Sequence, residues 1–173
     1  MDNITAAQFV ERLKTHQSDV ELTKIKRYFK SEKDEFGTDD TFIGVKMGEV
    51  FALAKEFIDM EPTEIEILME SPIHEVRTGA LSIMDKQARS KKTTILRRKE
   101  LYDLYLRRHD RINNWDLVDL AAIHVIGAYL TDKPRDILYE LALSPNVWER
   151  RTAIVSTAYF IRQKDMDDTF KIA

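Results

Sequence analysis

The chain has 173 residues, 43% hydrophobic and 33% charged, with 5 Gly, 4 Pro and no Cys. This length fits one domain with a real core, and the missing Cys excludes disulfides and thiolate metal sites and fits a reducing compartment. The net charge of −3 argues against a uniformly basic nucleic-acid binder. No apolar run is long enough to span a membrane, and Met1-Asp2-Asn3-Ile4-Thr5 is no signal peptide, so a cytoplasmic protein without membrane association is expected.

So few breakers, with abundant Leu, Ile, Ala, Glu, Lys and Arg, predict an all-α fold. Thr5 with Gln8 and Ser18 with Glu21 match the capping box, in which a cap oxygen and the third residue's side chain satisfy free N–H groups. Apolar residues of helical period follow each: Phe9, Val10 and Leu13, then Val20, Ile25 and Phe29. Residues 30–41, polar around Gly37, predict a loop. Residues 45–57 predict an amphipathic helix with Val50, Leu53, Ala54 and Phe57 on one stripe, and 63–70 a short one opened by Pro62.

From there the pattern repeats. Ser71-Pro72 closes one helix before another at 74–89, and Ser144-Pro145 closes one before another at 148–162. Without gaps Arg77 meets Arg150, Ala80 meets Ala153 and Leu81 meets Ile154, a separation of 73 residues, or two units of about 37. Between them 96–108 and 115–130 form another antiparallel pair. These features predict HEAT-like helical hairpins stacked into a curved solenoid, one repeat domain over residues 1–173. The second helix of each hairpin is expected to line a concave basic face. Those helices open with His74-Glu75-Val76-Arg77, Trp115-Asp116-Leu117-Val118-Asp119 and Trp148-Glu149-Arg150-Arg151, which collects the chemistry at equivalent places along one face.

Charge is unevenly distributed. Residues 86–111 carry ten Lys and Arg, among them Lys91, Lys92, Arg97 and Arg98, against three acids; the segment is +7 and the remainder −10. A basic patch on an acidic body suits a polyanion that touches one face, and a solvated helix surface is the plainer reading. Trp115 and Asp119 lie one turn apart at a helix start, an aromatic face beside a fixed negative charge. That is a receptor for a flat cation.

Several stretches together resemble the bacterial DNA alkylation repair enzymes built from HEAT-like repeats, the AlkD-type DNA glycosylases. They are Phe42-Ile43-Gly44-Val45-Lys46 and Ala54-Lys55-Glu56-Phe57, then His74-Glu75-Val76-Arg77 and Asn114-Trp115-Asp116-Leu117-Val118-Asp119, then Trp148-Glu149-Arg150-Arg151-Thr152-Ala153-Ile154. The resemblance implies release of cationic N3- and N7-alkylated purines from duplex DNA by hydrolysis of the glycosidic bond, by a monomer needing no metal or other cofactor and without drawing the base into a deep pocket. It implies that Asp119 is the catalytic carboxylate, that Trp115 is an aromatic wall against the deoxyribose, and that Arg151 with Trp148 holds the backbone. Arg77, Arg150, Lys91, Lys92, Arg97 and Arg98 are further candidates for DNA contact. The family's second aromatic wall lies on a later repeat, so a C-terminally shortened member is expected.

Plainer roles stay open beside these. Asp119 also fits a second-turn acid favourable to the helix dipole or a partner for Arg151 across repeats, Trp115 and Trp148 fit interhelix packing, and Arg77, Arg150 and Arg151 fit an interrepeat ladder. A non-catalytic helical-repeat scaffold that binds DNA or protein is the competing function. His16, His74, His109 and His124 lack metal spacing; His124 is expected in the core and His109 on phosphate.

Overall fold

Helix N-termini are dictated by the cap residues that precede them. In the computed structural model, which describes residues 4–30 and 40–173, Thr5 caps α1 (Ala6–Lys14) with both halves of the expected box: Gln8 N donates to Thr5 Oγ1 at 3.3 Å and Thr5 N to Gln8 Oε1 at 2.9 Å. Ser18 before α2 (Asp19–Lys30) forms only half of one. Glu21 N donates to Ser18 Oγ at 3.4 Å, but the Glu21 carboxylate takes Lys24 at 2.8 Å and Ser18 N donates to Gly44 O at 2.9 Å. Val20, expected on the apolar stripe, is 65% exposed. Residues 31–39 of the expected loop lie outside the described residues.

The helices α3 (Met47–Glu56), α4 (Pro62–Met69) and α5 (His74–Arg89) follow within a residue or two of expectation, and Val50, Leu53, Ala54 and Phe57 are buried. The chain continues through α6 (Ile95–Arg107), α7 (Trp115–Ala121), α8 (Asp136–Ala142), α9 (Val147–Ser156), α10 (Ala158–Arg162) and α11 (Asp167–Ile172). The fold is all-helical; among the described residues Thr41 and Ile73 make only an isolated bridge. No described helix is long and apolar enough to cross a membrane. The chain divides into two compact units, Met1–Ile83 and Met84–Ala173.

In the first unit Phe9 is fully buried, edge-on to Phe57 at 5.3 Å, and its ring occupies the space where a Cβ on Gly79 would stand. Glu75 is equally buried, yet its carboxylate has partners. It accepts from Gly44 N at 2.9 Å, Ile43 N at 3.1 Å and Val45 N at 3.4 Å, which ties the segment before α3 to α5. Gly44 is needed there because its φ is +82° and a Cβ would come within 2.4 Å of Ser18 O.

The 73-residue repeat holds at the level of single hydrogen bonds. At the first Ser-Pro turn Ser71 Oγ accepts from Ile73 N at 3.1 Å and Arg77 Nη1 donates to Ser71 O at 2.8 Å. At the second, Ser144 Oγ accepts from Asn146 N at 3.0 Å and Arg150 Nη1 donates to Ser144 O at 2.8 Å. Each arginine satisfies the carbonyl of a serine in the turn just past the preceding helix.

Two expected helices are modified in the second unit. The helix expected over 115–130 is α only to Ala121 and continues as a π-helix over Ala122–Ala128. The helix expected over 148–162 is interrupted at Thr157, whose N–H reaches Ile154 O at 3.2 Å in a tightened turn.

Glu75→Ala would strand three backbone N–H groups, so a loss of about 3 kcal/mol is expected. Urea denaturation measures it, with Glu75→Gln, which keeps one acceptor, intermediate. A loss under about 1 kcal/mol would mean that water replaces the carboxylate.

Candidate functional site

The second unit assembles its polar face from two helix starts, each opened by an asparagine. Asn114 Oδ1 accepts from Trp115 N at 2.8 Å, which makes Trp115 the first residue of α7. Asn146 Oδ1 accepts from Trp148 N at 2.9 Å at the start of α9. Both indoles are half-buried. Asp119 follows Trp115 by one turn, on the same face of α7.

The helices α7 and α9 pack together, and Asp119 meets Arg151 across them. Arg151 Nε donates to Asp119 Oδ1 at 2.8 Å and Nη2 to Oδ2 at 2.7 Å, a bidentate fork. The two side chains, arginine and aspartate, are 40% and 37% exposed, so solvent and ligands reach both. The carboxylate pushes the Arg151 pKa up by accepting its hydrogen bonds. The structure thus realises the plainer reading of Asp119 as a partner for Arg151.

Close backbone approach sets this register. A Cβ on Gly127 would lie 2.3 Å from Ser156 O, and Ala121, Ala122 and Ala153 are fully buried. Ser156 Oγ donates to Thr152 O at 2.7 Å and to Ala122 O at 3.3 Å, at the first residue of the π segment. Beside Arg151, the buried Thr152 hydroxyl meets Tyr105 Oη at 3.1 Å and His109 Nε2 at 2.8 Å. Burial raises the Tyr105 pKa and lowers that of His109.

The basic residues divide by partner. Arg97 pairs with Glu100 at 3.0 Å and Lys99 with Asp103 at 2.5 Å. Arg98 donates to Ala88 O, and to Ser90 O at 2.7 Å, closing the end of α5. Lys91 and Lys92 are exposed and make no ion pair among the described residues. Arg150 is exposed, with Nη1 on the Ser144 and Pro145 carbonyls.

Four expectations are corrected. Arg77, a candidate for DNA contact, is 2% exposed, held by Asp40 Oδ1 at 2.6 Å and Ser71 O, so a phosphate has no access to it. Its helix start is wholly buried, with His74 and Glu75 fully covered, so the chemistry is not displayed at every equivalent position. His109, expected on phosphate, is 4% exposed on Thr152. His124, expected in the core, is half-buried, with Nδ1 2.7 Å from Asp85 Oδ1. The structure also brings in Tyr105 and Thr152, which no sequence signal marked. The capping arginines did have one: each of the two equivalent ones stands six residues after the serine of a Ser-Pro pair. Among the described residues no cluster of three His, Asp or Glu could hold a metal ion.

The chain belongs to the family described as DNA alkylation repair enzyme, whose model matches residues 9–173. No curated protein and no solved structure matches it significantly. Membership places it among enzymes of DNA repair, with DNA as the substrate.

Gly127→Ala forces α9 away from the π segment. A loss of about 1–3 kcal/mol is expected by thermal denaturation, together with weakening of the Asp119–Arg151 pair. An unchanged melting temperature would place the close approach elsewhere.

Because His109 is depressed in the fold, the unfolded chain binds its proton first as pH falls. Its share of stability is intact above its unfolded value near 6.5 and is lost below that, by at most about 1.4 kcal/mol per pH unit. His109→Gln is expected to flatten this part of the urea-denaturation profile between about pH 7 and pH 5, and parallel profiles would exclude it.

Proposed function

We propose that the protein is a DNA glycosylase that hydrolyses the N-glycosidic bond of cationic N3- and N7-alkylated purines in duplex DNA. The observation that carries this reading is a solvent-accessible carboxylate, Asp119, one helical turn after an indole, Trp115, and facing Arg151, in a member of a DNA alkylation repair family. An alkylated purine that already bears positive charge leaves without a general acid. The sugar it leaves behind develops oxocarbenium character, as in other glycosyl hydrolysis. A fixed carboxylate stabilises that charge and orients water. The Trp115 indole adds cation–π attraction of roughly 0.5–2 kcal/mol. Arg151, with Trp148 on the same helix, holds a backbone phosphate, and the exposed Lys91 and Lys92 add sequence-independent attraction.

The competing reading is a non-catalytic scaffold for DNA or protein, favoured by the same fork if Asp119 serves only to clamp α9 to α7. Release of 7-methylguanine from methylated duplex DNA separates the two. The wild type is expected to release it, and Asp119→Asn, which keeps the shape without the charge, to do so roughly a hundredfold more slowly. Equal release would remove Asp119 from the chemistry, and no release with salt-sensitive binding retained would favour the scaffold.

A further inference from the structure

Both oxygens of Asp119 are engaged by Arg151 in the unliganded protein, at 2.8 and 2.7 Å, which conflicts with a catalytic carboxylate's task. A carboxylate in a bidentate guanidinium fork has its charge partly compensated, and two of its four lone-pair directions face the fork instead of a sugar or a water. The group that must stabilise a developing cation is already partly spent.

The pair is nevertheless built to open. Each side chain is more than one-third exposed, so the fork gains little over hydration, unlike a buried pair. Arg151 Nη1 makes no hydrogen bond among the described residues, so its two N–H donors and the second one on Nη2 remain available to an incoming anion. A phosphodiester matches the guanidinium fork as well as a carboxylate does. Beneath the pair, α9 is held to the π segment by the Ser156 Oγ–Ala122 O bond and the close approach of Gly127 to the Ser156 carbonyl, so a change of partner needs to move only two side chains.

We propose that Arg151 is a specificity-determining residue: it withholds Asp119 from cationic nucleosides that lack a flanking phosphodiester, and yields it when a phosphate takes the guanidinium. The proposal rests on the glycosylase reading of Asp119. It gives the site a reason to ignore free cationic N-glycosides, whose base chemistry matches the lesion but which bring no adjacent backbone. A phosphate pulls the fork away and the lesion's sugar meets an uncompensated carboxylate, so recognition of the backbone and activation of the acid are one event.

The test uses a protonated pyrrolidine analogue of the abasic sugar, which carries the cation and no phosphate, with dimethyl phosphate supplied separately. By calorimetry, saturating dimethyl phosphate is expected to tighten wild-type binding of the pyrrolidine about three- to tenfold. Arg151→Ala is expected to bind it without dimethyl phosphate as tightly as the phosphate-loaded wild type, and to ignore further addition. Asp119→Asn is expected to bind weakly under both conditions. Wild-type affinity indifferent to dimethyl phosphate overturns the proposal, as does an Arg151→Ala variant no tighter than the wild type or a pyrrolidine that none of the proteins binds. If Arg151→Ala fails to fold by circular dichroism, the wild-type response alone decides. Release of 7-methylguanine from methylated DNA reads the glycosylase assignment separately: release with no phosphate response sinks only the gate, and no release sinks the assignment itself.

Discussion

A chain of short helices with 5 glycines must end those helices without the residue that ends them most cheaply. The last carbonyls of every helix lack intrahelical partners and need donors from elsewhere. Here arginines serve those helix ends. Arg98 takes Ala88 O and Ser90 O at the end of α5, and Arg77 and Arg150 take Ser71 O and Ser144 O in the turns just past the helices before their own. Arg has the reach and the five fixed donors that this requires, so positive charge accumulates at helix junctions for a structural reason. The basic segment around residues 86–111 is therefore not all available to a polyanion. Arg97 and Lys99 answer acids on their own helix, Arg98 answers carbonyls, and Lys91 and Lys92 remain outward.

The same economy places the site. Small residues let α9 approach the π segment until Gly127 faces the Ser156 carbonyl with no room for a methyl group. The wider π turn accompanies a bond from Ser156 Oγ to Ala122 O. On the outer side of that contact, Asp119 and Arg151 come within fork distance; on the inner side, Tyr105, His109 and Thr152 share one hydroxyl. The buried layer is uncharged near neutral pH, because burial raises the phenol's pKa and lowers the imidazole's. The ionic pair above it thus stands against a neutral polar floor.

Much of this was legible in the sequence. Helix positions followed from apolar period and cap residues, and Trp115 with Asp119 on one face followed from their spacing. The repeat was legible too, down to its Ser-Pro turns, because those turns are local. What was not legible depended mostly on partners distant in sequence. Ser18 and Glu21 satisfy the capping-box pattern, yet Gly44 O and Lys24 outcompete them. Arg77 reads as a surface cation, but Asp40, 37 residues earlier, buries it. His109 reads as part of a basic run until Thr152 and Tyr105 close over it. The π segment had no signal, since Ala122 to Ala128 scans as ordinary helix.

On the proposed glycosylase reading, a carboxylate that serves a cation is a liability on a surface that takes up DNA. Unpaired, Asp119 would face phosphates and repel them at close range, where partial burial lowers the screening that water and salt provide. Pairing with Arg151 removes that repulsion while the protein is free, and the fork costs little to keep because both groups stay hydrated at their edges. Under that reading the arrangement reconciles two demands of opposite sign on one patch: affinity for a polyanion and a negative charge at its centre. An isolated carboxylate of the same geometry would meet the second demand at the expense of the first.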